Sequence, residues 1–460
     1  MRSASSIIKR YVFLVLALGS ASVLFAQENS PYSRYGLGDI YPQQNISSRG
    51  MGGISAALTD WQTLNTVNPA SYGDLRTTPN GGLVSLDIGL SIDARTLHSA
   101  NPVKKYNSTN FIPSYFQFGT PLGKKHWGLV FGLKPVTRIN YSVDQRISKT
   151  FETGYKDSVQ NLYEGSGGLN QVFVGLGKRF GNFSIGVNTG YHFGRREIST
   201  KVNFLNDTVS YESSNSANTQ TFGGFFVNGG LQYQFKLSDK VDQLSKQRNF
   251  SFLRLGLSGT LQNKLNVNAE TLNETFVYNA DGAIVPIDTV SYQTKAKGTI
   301  NLPSSYTAGF MFIRSVTDPM IYKWGFGADY SATNWAKDYR VYGQPDMLND
   351  SWMFHVGTFF TPNPITGTGL WQTAIYRLGF YTGKDYMDPD GNGLKVSAFT
   401  LGAGFRVRRF HSYDNQYTII NAAAEFGKRG SSVNNVTENF FKFSLGFSLG
   451  DIWFIKRKYD

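Results

Sequence analysis

Polar and apolar side chains alternate along most of this chain, and a period of two residues indicates β-strands. From Val84 to Ile92 every second residue is Val, Leu or Ile, and the residues between them are Ser, Asp or Gly. The same pattern returns repeatedly and ends with Phe441 to Leu449. In a membrane barrel each strand turns one face to lipid and the other to a polar lumen. The alternation therefore predicts an all-β fold, a transmembrane antiparallel β-barrel.

About fourteen alternating segments lie in the barrel region, and bacterial barrels have even strand numbers. The segments that begin near residues 291 and 305 are interpreted as one strand interrupted at Pro303. Long polar connections such as 195–218 and 263–290 alternate with short ones such as Gly181–Asn182. This order predicts that the long connections are extracellular and that both barrel ends are periplasmic. The alternative is a soluble β-sandwich, which has turn signals about every 8–12 residues and few connections this long.

The composition fits a barrel wall and excludes some functions. Aromatic residues make up 15% of the chain and charged residues only 17%, with 49 glycines. A lipid-facing wall with aromatic girdles and a polar lumen has such a composition. The net charge is +13, but the basic residues are scattered and form no basic helix or stripe. We therefore expect no nucleic-acid partner.

The N-terminus predicts export. Basic residues at Arg2, Lys9 and Arg10 precede an apolar run that ends before Ala26, as in a cleavable signal peptide. The alternative is an uncleaved anchor, although the run is shorter than the ~20 residues of a spanning helix. The expected domains are a signal peptide at 1–26, a hatch at 27–80, a barrel at 81–450 and a periplasmic tail at 451–460. The expected location is the cell outer membrane.

Residues 27–80 lack the alternation and are rich in glycine. A barrel of about fourteen strands has a lumen too wide for side chains alone to fill. We therefore expect this segment to fold inside the barrel as a plug, with a short helical turn at residues 54–58. The alternative, a disordered periplasmic tail, agrees poorly with apolar residues such as Leu58, Trp61 and Leu64.

Few motifs suggest chemistry. Asp388, Asp390 and Asn392 resemble the first half of a calcium loop, but the twelfth position is Phe399 instead of Glu. A tight turn explains the same residues, so no metal site is predicted. The chain has no Cys and no pair of His at zinc-ligand spacing. We therefore predict no catalytic residues, no cofactor and no enzymatic activity.

The whole mature chain resembles the FadL/TodX family of outer-membrane transporters for long-chain fatty acids and other hydrophobic compounds. The resemblance rests on the order of signal peptide, Gly-rich segment, Asn68-Pro69-Ala70 and about fourteen strands. The stretches Gly165–Asn170 and Ile185–Asn188 resemble phrases of the family's middle strands. The resemblance implies a 14-stranded barrel with a luminal hatch and an inward kink in the third strand. It also implies that substrate leaves sideways and that the Asn-Pro-Ala motif lies near the kink.

The third strand contains residues suited to such a kink. Pro135 cannot donate to a strand ladder, and Gly132 removes a side chain three residues earlier. The alternation also shifts phase after Leu133, as it does at a bulge. Either Pro135 opens the wall within the membrane or it lies above the membrane, where the strand frays. In the first case we expect Asn68 to bond the freed backbone groups.

The leading functional hypothesis is passive outer-membrane transport of hydrophobic, fatty-acid-like molecules through the hatch-plugged barrel and its lateral opening. The expected partners are outer-membrane lipid and a hydrophobic small-molecule ligand. The alternative is a FadL-like barrel subunit of an outer-membrane secretion or assembly complex, with protein partners. The long connections are polar and the chain ends in Lys456-Arg457-Lys458-Tyr459-Asp460, and these departures leave the substrate class open.

Overall fold

Fourteen long antiparallel strands form a closed barrel in the described part of the chain. The computed structural model describes residues 30–453, apart from 79–80, 101–102, 124, 151–155, 206–210, 242–246, 320, 389–390, 392, 409–415 and 432. The last strand closes the barrel by pairing with the first, from Val436 opposite Ser99 to Trp453 opposite Gly82. The strands are β1 (Gly81–Ala100), β2 (Val103–Pro121), β3 (Trp127–Thr150), β4 (Lys156–Phe180), β5 (Phe183–Phe204), β6 (Ser213–Val241), β7 (Arg248–Thr260 and Asn263–Tyr278), β8 (Ile284–Leu302 and Ser305–Val316), β9 (Tyr322–Thr333), β10 (Ser351–Phe360), β11 (Ile375–Lys384), β12 (Lys395–Arg408), β13 (Tyr417–Arg429) and β14 (Val436–Trp453).

The sequence alternation matches the two faces of the wall. On β1 the polar residues Ser85, Asp87, Ser91 and Asp93 are buried, while Ile92 on the other face is 42% exposed. The predicted all-β, 14-stranded barrel is confirmed. The single strand predicted across Pro303 is also found, since β8 is interrupted only at Pro303 and Ser304. A proline there removes one ladder donor without redirecting the strand.

The long connections were predicted wrongly in one respect, because much of their length is strand. β3 and β4 stay paired out to Thr150 opposite Lys156, and β7 and β8 out to Tyr278 opposite Ile284. Beyond the lipid band both faces of a strand meet water, so the alternation disappears while the backbone ladder continues. Three hairpins, β3–β4, β5–β6 and β7–β8, therefore extend outward well beyond the alternating region.

The remaining elements are short. Four-residue helices and two 3₁₀ helices stabilise the N-terminal segment and the loops, together with four two-residue strands. No helix in the described residues is long and apolar enough to cross a membrane. The helices are Ile46–Arg49, Trp335–Asp338 and Leu370–Thr373, the 3₁₀ helices are Pro31–Arg34 and Pro69–Asp74, and the short strands are Asp39–Ile40, Thr77–Thr78, Arg340–Val341 and Gln344–Pro345.

Residues 30–78, here called the N-terminal segment, lie among the inward-facing residues of the barrel. Gly52 has a φ of +72°, and a Cβ there would lie 2.5 Å from the carbonyl oxygen of Val356 on β10. Only glycine permits this conformation at so close an approach. The segment's α-helix is Ile46–Arg49, so the helical turn expected at residues 54–58 is wrong. Asn45 caps that helix by accepting a hydrogen bond from the N–H of Ser48, which fixes its start earlier.

Two of the expected domain boundaries lie near the ends of the described residues. Residues 1–29, which include the expected signal peptide, lie outside the described residues. At the other end β14 continues to Trp453, so the barrel extends three residues into the tail expected from residue 451. The rest of that tail lies outside the described residues.

Candidate functional site: the β2–β3 seam and the lumen cavity

The barrel wall is split between β2 and β3 at its outer end. These strands pair only from Pro121 opposite Gly128 to Phe116 opposite Leu133. Beyond that point each strand pairs with its other neighbour alone, β2 with β1 and β3 with β4. The ladder of β3 with β4 also shifts register between Pro135 and Thr137, which marks a bulge. We call the unpaired stretch the β2–β3 seam.

The N-terminal segment fills the seam from inside. Asp39 and Ile40 form a short antiparallel pairing with Arg138 and Thr137 of β3. The N–H of Tyr41 donates to the carbonyl of Val136 at 2.9 Å. On the far side the Tyr41 hydroxyl lies 3.0 Å from the Ser114 hydroxyl of β2. The segment thus satisfies backbone groups of β3 that β2 does not reach.

Gly132 and Pro135 lie at the inner end of the seam. Gly132 faces the lumen, and a Cβ there would lie 3.0 Å from the Phe173 ring of β4, so the glycine makes room for that ring. The carbonyl of Pro135 accepts a hydrogen bond from Gln43 Nε2 at 3.1 Å. Outward apolar side chains on β4 end at Val172, opposite Leu133, whereas Pro135 lies opposite Asn170. Pro135 is therefore at the outer boundary of the apolar band.

Asn68, Pro69 and Ala70 lie at a different wall, so the contact expected between Asn68 and β3 is wrong. Asn68 is fully buried, and its Nδ2 donates to Leu231 of β6 at 3.2 Å and to Leu257 of β7 at 3.3 Å. Its Oδ1 accepts from the N–H of Ala70, which caps the 3₁₀ helix that begins at Pro69. Tyr41 and Gln43 make contacts to β3 instead, and no local feature of the sequence marks these two residues.

Asp39 binds the N-terminal segment to the wall by ion pairs. Its carboxylate lies 2.8 Å from both Arg95 of β1 and Arg429 of β13. Burial alone raises the pKa of this carboxyl, but Arg429 and Arg95 outweigh burial and lower the pKa of Asp39 to about 2. Glu438 and Asp385 also pair with Arg429. Asp39 is therefore ionised over the whole physiological pH range.

A second buried ion pair anchors the helix at Ile46–Arg49. Arg49 donates to Glu425 of β13 at 2.7 Å, and both side chains are nearly inaccessible. Its Nη1 also donates to Ser91 of β1 at 2.9 Å. Removing one partner of such a pair leaves an uncompensated buried charge and costs about 3–5 kcal/mol. The N-terminal segment is thus fixed to β1 and β13, the two strands on either side of β14.

A cavity of about 460 Å³ lies in the lumen above this anchored part. Gly52, Gly53 and Thr66 of the N-terminal segment line one side of it. On the other side is a buried hydrophobic cluster that packs across the outer end of the lumen. The cluster includes Tyr32, Leu37, Leu169, Leu302, Trp335, Tyr339, Leu348 and Tyr386.

Polar side chains from β3 to β7 point into the cavity. Asn188 and His192 of β5 share one phase of the strand, and both line the cavity. Lys134 also lines the cavity, and this residue was not predicted. The signal was present, because Lys134 follows Gly128, Val130 and Gly132 on the inward phase of β3.

Of the three calcium-loop residues, the structure describes Asp388, which lies in a turn. Asp388 accepts hydrogen bonds from Asn349 and from the N–H of Gly393, as expected for a turn. Asp390 and Asn392 lie outside the described residues. Within the described residues there is no group of three or more His, Asp or Glu arranged to hold a metal ion.

The architecture defines the class of fold: a closed 14-stranded β-barrel like those of the FadL/TodX channels. The Pseudomonas putida toluene transporter TodX has a TM-score of 0.51 at 14% identity, over 90% of this chain and 99% of that one. A Pseudomonas aeruginosa FadL homologue has a TM-score of 0.50 at 13% identity, over 90% of this chain and 98% of that one. Neither is described as an enzyme. At this identity the likeness confirms the fold.

The chain belongs to the BamG family, whose sequence profile matches residues 7–460. None of the curated proteins matches it in sequence.

Proposed function

We propose that this barrel passively transports hydrophobic small molecules across the outer membrane, by way of the lumen cavity and the β2–β3 seam. The observation that carries the proposal is the seam itself. In this stretch of the described wall two neighbouring strands separate, and a non-barrel segment, Asp39–Ile40, takes the place of the missing ladder. Two ladder pairs leave far fewer backbone hydrogen bonds to break than a continuous strand has.

The seam and the cavity are contiguous. Ile40, Val136 and Thr137 line the cavity, and Ile40 is 45% exposed. A molecule in the cavity is therefore separated from the outside of the wall by little more than residues 39–41. We infer that displacement of these residues lets a hydrophobic molecule pass sideways into the bilayer. The toluene transporter TodX has the same fold.

A reversible disulfide across the seam tests the route. Ile40 and Thr137 are direct cross-strand partners without mutual hydrogen bonds, a geometry that suits a disulfide. In the Ile40→Cys, Thr137→Cys variant we expect oxidation to abolish uptake of radiolabelled decanoate and toluene, and reductant to restore it. The chain has no native Cys, so the cross-link is unambiguous.

The matched control is a pair in the continuous wall, Ser397→Cys with Lys428→Cys, which are partners in β12 and β13. Its oxidation should leave uptake unchanged. Equal uptake by the oxidised and reduced forms of the seam variant would refute the lateral route. Absence of uptake by the unmodified barrel would refute transport itself.

A second function, as a barrel subunit of an outer-membrane complex, is favoured by a different observation. The β7–β8 hairpin projects beyond the apolar band and carries exposed apolar side chains, with Val290 68% and Tyr292 58% exposed. From Ile284 to Lys297, β8 pairs with β7 along one edge, and no described strand pairs with its other edge. Exposed apolar patches outside lipid mark protein interfaces.

Site-specific photocross-linking distinguishes this function. A benzophenone amino acid at Tyr292 should give one discrete protein adduct in whole cells, whereas the same group at Tyr233 on the lipid face of β6 should not. Identical patterns at both positions, or no adduct at Tyr292, would count against a subunit role.

A further inference from the structure

Two loops pack across the outer end of the lumen, one between β9 and β10 and one between β11 and β12. Their residues 334–350 and 385–388 are here called the outer cap. The N–H of Asn349 in the first loop donates to the carbonyl of Tyr386 in the second at 2.8 Å. The rings of Trp335 and Tyr386 stack with their centroids 4.2 Å apart. The two loops therefore form one packed unit.

Gly38 of the N-terminal segment lies between the outer cap and β3. The Tyr386 hydroxyl donates a hydrogen bond to the Gly38 carbonyl. On the other side, a Cβ at Gly38 would overlap the carbonyl oxygen of Arg138 on β3. The φ of Gly38 is +93°, a conformation that favours glycine. One residue thus contacts both the outer cap and the strand that borders the seam.

Arg429 of β13 provides a second link between the outer cap and the seam. Its guanidinium lies 2.7 Å from Asp385 of the outer cap and 2.8 Å from Asp39 of the N-terminal segment. Arg429 is buried, and removing one partner of a buried ion pair leaves charge uncompensated. Asp39 also pairs with Arg138 across the seam. A displacement of Asp39 from β3 therefore disturbs the guanidinium that holds Asp385.

Four consecutive residues of the N-terminal segment connect these contacts. Leu37 is 1% exposed and belongs to the same buried cluster as Trp335 and Tyr386. Ile40, which fills the seam, follows three residues later, and three extended residues span only about 10 Å. A connection this short gives the seam-filling residues little freedom to leave β3 while Leu37 stays in the cluster.

We propose that the outer cap and the β2–β3 seam are interlocked through residues 37–40, so that the outer end of the lumen and the side of the wall open together. The proposal rests on the function proposed above, since it names the regulation of the same seam. An outer cap that opened alone would leave the Gly38 carbonyl without its hydroxyl donor and Arg429 without Asp385. A seam that opened alone would break the same contacts from the other side.

Hydrogen exchange of the full-length protein in mild detergent, followed by mass spectrometry of its peptides, tests the interlock. In the Ile40→Cys, Thr137→Cys variant, oxidation locks the seam. It should slow exchange in peptides that contain Asn349 by about tenfold or more, because opening of the outer cap requires the locked residues to move. Reductant should restore the rate. Oxidation of a control pair in the continuous wall, Ile185→Cys with Leu231→Cys on β5 and β6, should leave this exchange unchanged.

A matched pair of tyrosine variants tests the link from the side of the outer cap. Tyr386→Phe removes the hydroxyl that bonds Gly38, whereas Tyr339→Phe removes a hydroxyl of the same cluster that has no hydrogen-bond partner among the described residues. Ser33 of the N-terminal segment is buried, so a thiol there reports on movement of the segment. In a Ser33→Cys background, Tyr386→Phe should accelerate maleimide labelling about fivefold or more, and Tyr339→Phe should leave it unchanged.

Gel mobility before and after boiling verifies that each variant is a folded barrel. Unchanged exchange at Asn349 after oxidation of the seam pair, or equal labelling in the two tyrosine variants, would overturn the interlock. Slowed exchange together with uptake that is insensitive to the seam disulfide would support the interlock and refute the lateral route. Abolished uptake together with unchanged exchange would support the lateral route and overturn the interlock.

Discussion

Replacing Asp39 by Asn should loosen the N-terminal segment from the barrel wall. Asp39 is the residue through which the seam-filling strand contacts Arg95 on β1 and Arg429 on β13. Asparagine has the same shape but no charge, so its amide keeps at most one acceptor oxygen for the two guanidinium groups. Both arginines retain other acidic partners, so the barrel itself should stay folded.

The magnitude follows from the pKa of Asp39. A shift from 3.8 to about 2 corresponds to nearly two pKa units, and each unit is worth about 1.4 kcal/mol. The carboxylate therefore contributes roughly 2 kcal/mol to holding the segment in place. If the segment opens locally, Asp39→Asn should raise the population of the open form on the order of 10- to 30-fold.

Thiol labelling measures that opening. Ser33 of the same segment is only 2% exposed, and Ser33→Cys introduces a single thiol into a chain with no Cys. In this background Asp39→Asn should accelerate maleimide labelling near neutral pH by about tenfold or more. Asp281→Asn, at the exposed tip of the β7–β8 hairpin, is the control and should change nothing. Equal labelling rates with and without the Asp39 carboxylate would refute the reasoning.

Three further outcomes follow from the structure. Leu445 is on the lipid face of β14, so Leu445→Arg should disfavour insertion by ~2–4 kcal/mol. Asn439 is on the same face but beyond the apolar residues, so Asn439→Arg should insert normally. The yield of barrel in membranes measures both. Asn68→Asp should lower the temperature of the gel-mobility transition more than Asn68→Ala, because a carboxylate would face the Ala56, Leu231 and Leu257 carbonyls to which the amide donates. The pKa of Asp39 is lowered in the folded protein, so the stabilisation from its carboxylate is complete above about pH 4 and is lost as the pH falls toward 2. Pepsin cleavage of the N-terminal segment should therefore rise in that interval, and it should rise less in Asp39→Asn.

The sequence predicted the wall well because the alternation within each strand identifies the two faces of that strand. In β1 from Ser85 to Ile92 and in β14 from Phe441 to Leu449 the inward residues are polar or small and the outward residues are apolar, so these strands can be read residue by residue. Pro303 was interpreted correctly for the same reason, since a proline affects its own ladder position. The outer hairpins were missed because residues such as Thr271 and Ser291 are polar on both faces, and a strand surrounded by water carries no alternation.

The lumen could not be predicted because its contacts join residues far apart in the chain. Arg49 and Glu425 are separated by 376 positions, and neither has a local feature that marks the other. From the alternation alone, Ser444→Arg is expected to be tolerated as a change toward an open lumen. The structure contradicts this, because Ser444 is fully buried and bonds Ser91, which also bonds Arg49. A plug turns lumen-facing positions into core positions.

The cavity and the seam share one residue, and this predicts how a ligand acts on the wall. The Gln43 side chain bonds the Pro135 carbonyl at the seam, while its backbone carbonyl faces Lys134 Nζ at 3.5 Å. A ligand that enters the cavity beside Lys134 disturbs that contact and so weakens one contact that holds residues 39–43 against β3. Decanoate and toluene, the probes of the transport assay, should therefore accelerate labelling of Ser33→Cys. If a probe that is taken up protects Ser33→Cys instead, the ligand closes the seam, and the lateral route would need a different trigger.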